Sequence, residues 1–176
     1  MDFLVEGARP GPRRTRRAHV LERLEELERA AQTAPSTLVA GLSAAFDFAR
    51  RSLPPDEPGC VVHGDLLGQN LRAFPEGLGP DSVGVIDWAE ITVGDPAYDL
   101  AIVTRGTREP FKYTKHGTQR LIDAYLAACG LPVTRRAVLV HEALLLAGHV
   151  LSNAQHAGLV HAESTVRSLT NLLHRG

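Results

Sequence analysis

The segments CVVHGDLLGQNLRAF (60–74) and VGVIDWAE (83–90) decide the reading of this chain. Cys60-Val61-Val62 is a short apolar run of the kind that forms a buried strand, and it leads directly into a polar loop. Leu71 to Phe74 and Val83 to Asp87 are two further strand candidates joined by the turn-rich PEGLGPDS, which predicts a β-hairpin. Within the loop, His63, Asp65 and Asn70 stand as H-x-D-x-x-x-x-N, and Asp87 closes the second hairpin strand. Phosphoryl transfer requires such groups: a carboxylate beside the attacking hydroxyl, and oxygen ligands for the magnesium on the phosphates. One carboxylate and one amide oxygen suffice as protein ligands, because magnesium prefers hard oxygen donors and keeps several waters. The hairpin would bring Asp87 back beside Asn70, 17 positions earlier in the chain.

A third motif, GDPAYDLA at 94–101, follows. Its Asp95-Pro96 reads as a helix N-cap with proline at the first helical position, opening a helix that runs through Thr104. Together HGDLLGQN, VIDW and GDPAYDLA resemble the aminoglycoside phosphotransferase family of small-molecule kinases. Their order and spacing also match the protein-kinase catalytic loop and metal-binding aspartate, with Gly64 where those enzymes carry arginine. The resemblance covers roughly residues 18–176, and its diagnostic part spans 62–101. It implies a protein-kinase-like C-terminal lobe of the α+β class, mainly α with a small β-hairpin. It also implies Asp65 as catalytic base or hydroxyl-orienting carboxylate, and Asn70 and Asp87 as magnesium ligands. His63 would support the loop from within, and Asp95 and Asp99 would brace it. ATP would be the phosphoryl donor, Mg2+ the cofactor and a small-molecule hydroxyl the acceptor. The residues by themselves admit plainer roles: Asp95 as a helix cap, Asp99 as a first-turn carboxylate favoured by the helix dipole, and Asp65, Asn70 and Asp87 as turn-forming residues.

Outward from this centre the chain reads as helices. Val20, Leu21, Leu24, Leu27 and Ala31 recur at helical spacing between Ala18 and Ala31. A second helix opens at Pro35-Ser36, carries Leu38, Val39, Leu42, Ala45, Phe46 and Ala49 on one stripe, and is ended by PPDEPG at 54–59. After a loop at 105–117, helices are predicted over Thr118–Cys129 with Gly130 as the stop, over 134–157 and over 164–174. Residues 1–17, with four arginines among Arg13 to Arg17, read as a flexible basic arm. Residues 18–176 read as a single catalytic-lobe domain, with a diagnostic core at 61–104 and a helical subdomain at 118–176. His141-Glu142 lacks the second histidine of a zinc-binding H-E-x-x-H, and no G-x-G-x-x-G occurs.

Composition narrows the function classes. Nineteen basic and twenty acidic residues leave a net charge of -1, which argues against a protein that coats nucleic acid or an anionic membrane. Ala137 to Leu151 is interrupted by His141, Glu142 and His149, so it reads as a buried helix rather than a membrane span. Two cysteines make neither a disulfide framework nor a metal site, and the chain reads as cytoplasmic with reduced thiols. From Ala101 onward four carboxylates face nine Arg and Lys, a balance suited to a neutral or anionic acceptor more than to a polycation.

The resemblance breaks at the N-terminal side. Members of that family carry a β-rich lobe that covers the nucleotide and supplies a lysine to its phosphates. Here 62 residues precede His63, read as an arm and two helices, and no lysine occurs before Lys112. The N-terminal β lobe is therefore expected to be absent, and arginine is no simple substitute for the lysine. Three readings follow. The chain is a truncated kinase, weak or inactive alone, whose missing lobe is tolerated or supplied by a protein partner or by self-association over the bare surface. Alternatively it is a non-catalytic ligand- or partner-binding remnant, or a piece of a longer gene.

Overall fold

Residues 14–73, 83–104, 115–129 and 131–174 are described by the computed structural model. The first elements are two packed helices of equal length, α1 (Arg16–Ala31) and α2 (Ser36–Arg51). Thr15 caps α1, its hydroxyl accepting from the Ala18 amide at 3.1 Å. Val20, Leu24 and Leu27 on α1 and Leu38, Leu42, Ala45, Phe46 and Ala49 on α2 form the buried stripes that the helical spacing foretold. Leu21 and Ala31 are only half-buried and Val39 lies exposed, while Phe48, outside the predicted stripe, is buried beneath the Arg136 guanidinium.

The strands come next: β1 (Cys60–Val62), β2 (Leu71–Ala73), β3 (Val83–Val85) and β4 (Thr92–Gly94). β2 and β3 pair antiparallel, Leu71 opposite Val85, as the hairpin reading required. The PEGLGPDS turn, up to Asp81-Ser82, and Phe74 lie outside the described residues. β1 pairs antiparallel with β4, Val61 opposite Val93, a second ladder that sequence reasoning missed. Thr92-Val93-Gly94 is too short and too glycine-bound to announce a strand, and its pairing with β1 is a tertiary contact rather than a local preference.

Four helices complete the fold: α3 (Ala97–Thr104), α4 (Lys115–Cys129), α5 (Arg135–His156) and α6 (Leu159–Leu173). α4 starts three residues before the predicted Thr118. The Gly130 stop and residues 105–114 lie outside the described residues. α6 starts at Leu159 rather than 164, directly after Gly158 at φ 89. The apolar Val160 in its first turn is exposed, so no buried periodicity marked those residues as helical.

α5 is the axis of the molecule. On one side it packs with α1, α2 and α6 around Leu24, Leu38, Leu42, Leu144 and Leu169. On the other it packs with α3 and α4 around Leu100, Ile102, Ile122 and Val138. Full burial of each such leucine contributes roughly 1.5–3 kcal/mol. α5 is long and apolar enough to cross a membrane by composition, yet 67% of its most apolar stretch is buried inside this core.

The basic run before α1 is a point of correction. Residues 1–13 lie outside the described residues, but Arg14 to Arg17 are part of the fold and not of a solvated arm. The Gly59 amide donates to the Arg14 carbonyl at 3.0 Å and the Arg16 amide to the Glu57 carbonyl at 2.9 Å. The Arg14 guanidinium donates to the Thr92 hydroxyl at 2.7 Å and the Val93 carbonyl at 3.0 Å. Arg16 is buried.

Candidate active site

The site is assembled on the loop that leaves β1. His63 is buried, and both of its ring nitrogens are engaged. Nδ1 accepts from the Asp65 amide at 3.2 Å, and Nε2 meets the Ile86 carbonyl at 2.9 Å. A backbone amide can only donate and a carbonyl can only accept, so the ring carries its proton on Nε2. With both nitrogens committed, the ring ties the loop to the strand-end of the hairpin and is not free to exchange protons with a substrate. Trp88 packs against it, ring centroids 4.7 Å apart, and the indole N–H donates to the Val85 carbonyl at 3.1 Å.

Asp99, in the first turn of α3, receives the loop backbone. Its two carboxylate oxygens accept from the His63 amide at 2.7 Å and the Gly64 amide at 2.9 Å. Gly64 sits at φ +88, and a Cβ there would overlap the Glu90 carbonyl oxygen. Backbone conformation and close approach together explain a glycine where protein kinases have arginine.

Asp65 and Asn70 are in direct contact. The Asn70 amide nitrogen donates to the Asp65 carbonyl at 2.8 Å and to its Oδ2 at 3.0 Å. Both partners are pure acceptors, which places the Asn70 side-chain oxygen on the opposite side of the amide. Asp87 is held beside Asn70 through its neighbour, since the Ile86 amide donates to the Asn70 carbonyl at 2.9 Å. It is exposed and adopts φ 62, a conformation uncommon for a residue with a side chain and enriched at functional sites. A side-chain amide oxygen and an exposed carboxylate on adjoining backbone form a hard-oxygen donor set that fits magnesium with its waters.

Asp95 lies elsewhere. It is fully buried at the start of α3, where Oδ1 accepts from the Ala97 amide at 3.1 Å, so the predicted N-cap is present. The Arg16 guanidinium also reaches Oδ1, with Nε and Nη2 each at 3.1 Å. His141 Nε2 stands 3.4 Å from Oδ2, within ion-pair reach but without hydrogen-bond geometry. Burial by itself raises the Asp95 carboxyl, but His141, the Ala97 amide and Arg16 outweigh it and hold the group below its ordinary value. The Asp95 amide donates to His19 Nδ1 at 3.0 Å. His19 is pushed down to about 3, by burial first and then by His141 and Arg14. Sequence reasoning missed Arg16, His19 and His141 as partners of Asp95; an arginine directly after a helix cap is the available signal.

Two cavities of about 270 and 330 Å3 share His19, Glu90 and Tyr98, and Gly64 lines the larger. Neither is lined by Asp65, Asn70 or Asp87.

Comparison with known proteins bears on the family and the fold. Residues 4–139 match the phosphotransferase enzyme family (APH). The chain belongs to that family. Viomycin phosphotransferase of Streptomyces vinaceus is 52% identical over 44 residues, 24% of this chain and 15% of that protein. Among solved structures, a thermostable mutant of aminoglycoside phosphotransferase APH(4)-Ia superposes with a TM-score of 0.67 at 16% identity. It is matched over 92% of this chain and 53% of its own. A putative aminoglycoside phosphotransferase from Ralstonia eutropha gives a TM-score of 0.60 at 16% identity, covering 97% of this chain and 56% of its own. Aminoglycoside 2'-phosphotransferase-IIIa, solved with GDP, gives 0.58 at 16% identity, covering 89% and 52%. The phosphotransferase fold is thereby shown, and the chain spans about half the length of these solved relatives.

Proposed function

We propose that this phosphotransferase chain carries the catalytic half of an ATP-dependent kinase acting on a hydroxyl of a small molecule. The observation that carries the reading is the Asp65–Asn70 contact, with Asp87 tethered to Asn70 through the Ile86 amide. Asp65 orients the acceptor hydroxyl and takes its proton. The hydroxyl oxygen forms the new bond to the γ-phosphorus as the bond to the β,γ-bridging oxygen breaks, releasing ADP. Asn70 and Asp87 would hold magnesium, which supplies charge neutralisation on the phosphates. His63 fixes the loop through its two ring nitrogens, and Asp99 fixes the backbone amides at the turn of Gly64. The similar proteins are an aminoglycoside phosphotransferase and a viomycin phosphotransferase, which supports an acceptor of one of those kinds. Four carboxylates against nine basic residues from Ala101 onward favour an acceptor that is not a dense polycation. A nucleoside triphosphate donor fits a cytoplasmic setting.

A second reading, binding without turnover, rests on the absence of any lysine before Lys112. We propose that residues 1–176 alone turn over weakly or not at all, and that a nucleotide-covering half, on the same polypeptide or on another, completes the site. Val83, Ile86, Trp88 and Ile91 are exposed around Asp87 and suit such a seat.

Thermal shift with ATP, with and without magnesium, tests the site. Magnesium-dependent stabilisation that is lost in Asp87→Ala supports the assembled metal–nucleotide site. No shift with either ATP or GTP, at nucleotide concentrations up to the millimolar range, would overturn nucleotide binding by this half alone.

A further inference from the structure

Residues 94 and 95 are gripped from two directions by α1. Arg16 takes the carboxylate of Asp95, and His19 takes its backbone amide. The His19 ring also lies against Gly94, where a Cβ would overlap it. These contacts matter because of what residues 94 and 95 hold. Gly94 pairs with Cys60 in the β1–β4 ladder, three positions before His63. Asp95 caps α3, and Asp99 lies four residues further on, one helical turn away. Asp99 in turn accepts the His63 and Gly64 amides. A short helix moves as a unit, so displacing its cap displaces Asp99 and the backbone that aims Asp65.

We infer that Arg16 and His19 are positioning residues for the catalytic loop, acting through Asp95 and α3 on Asp99. The role of the loop rests on the function proposed above, but the mechanical link does not. Arg16 is suited to it: its side chain is 6% exposed and presents Nε and Nη2 to one carboxylate oxygen, a fork that lysine cannot reproduce. Its contact to Glu57, at 3.3 Å and half exposed, is peripheral to that link.

The test is amide hydrogen exchange read residue by residue by NMR, which requires no turnover and so separates this inference from the proposed activity. In Arg16→Lys, the His63 and Gly64 amides are expected to lose roughly tenfold in protection while the Leu169 amide in α6 changes far less. Asp99→Asn should produce the same selective loss directly, and Glu57→Gln should not. Removing one partner of a buried pair can unfold the chain, so the paired variant Arg16→Met with Asp95→Asn serves as the second measurement. The introduced carboxamide retains an oxygen for the Ala97 amide. This pair should reproduce the selective loss, and His19→Gln should reproduce a smaller one. Uniform loss across His63, Gly64 and Leu169, or unchanged protection at His63 and Gly64, overturns the link. With a preparation that turns over, Arg16→Lys and His19→Gln should lower kcat per folded molecule with little change in the KM for ATP. A loss that disappears once rates are normalised to the folded fraction would be general destabilisation and would overturn the positioning role.

Discussion

Two charged regions, 25 positions apart in sequence, are built on opposite principles. In the loop from His63 to Asn70, side chains are satisfied mostly by backbone: the Ile86 carbonyl, the Asp65 amide and carbonyl, and the His63 and Gly64 amides. At the start of α3, Asp95 is satisfied largely by side chains from far away, with Arg16 79 positions earlier. Asp65 is half-buried and Asp87 exposed, whereas Asp95 is sealed at 0% exposure. The difference separates two uses of charge. The accessible set can meet a substrate; the sealed set ties α1 to the start of α3 and cannot be altered without a folding cost.

The sharpest way to break the comparison is to mutate one carboxylate in each region. Asp65→Asn should reduce phosphoryl transfer by about 10²–10⁴-fold in a preparation that includes a nucleotide-covering half, with a melting temperature close to that of the parent. A matching loss of stability would place Asp65 with the structural carboxylates. Asp95→Ala should do the reverse, costing about 3–5 kcal/mol in urea unfolding because Arg16 is left buried with only the half-exposed Glu57 as its ion-pair partner. A cost below about 1 kcal/mol would remove the distinction.

Acid titration probes the sealed region more gently. Folded His19 stays neutral down to about 3, whereas the unfolded chain takes up the proton near the ordinary value of 6.5. Between those limits the unfolded state binds more protons, so stability falls as pH drops, with a limiting slope of about 1.4 kcal/mol per pH unit. His141, Arg14, Asp95 and Arg23 surround the ring and set this window. The Asp95 contribution, from a lowered carboxyl, is present above its ordinary value of 3.8 and is lost only as pH falls below it. Urea midpoints from about pH 7 to 4.5 should therefore fall, and His19→Gln should flatten the slope. An unchanged slope would show that His19 is not the responsible group. The smallest effect belongs to the rim. Glu57→Gln removes the exposed partner of Arg16 and should change stability by less than about 0.5 kcal/mol by the same unfolding measurement.

These two regions are not equally legible in the sequence. The loop is local: H-x-D-x-x-x-x-N places its side chains within eight residues, and the hairpin that returns Asp87 is short. Gly64 and Asp87 stand in the motif, but their positive φ values do not. Asp95 is legible as a cap, because the Ala97 amide is two residues away. Its pairing with Arg16 is not, and the basic run reads locally as a solvated arm. A run of arginines has the same composition whether it meets water or a buried carboxylate.

Sequence by itself determined the family, the helical stripes of α1 and α2, the β2–β3 hairpin and the order of Asp65, Asn70 and Asp87, all of which rest on interactions within a few turns or one hairpin. Tertiary structure alone decided the β1–β4 ladder, the tautomer of His63, the start of α6 and the burial of Arg16 against Asp95. Each of those depends on which distant group excludes water from the other, and that is a property of packing rather than of local spacing.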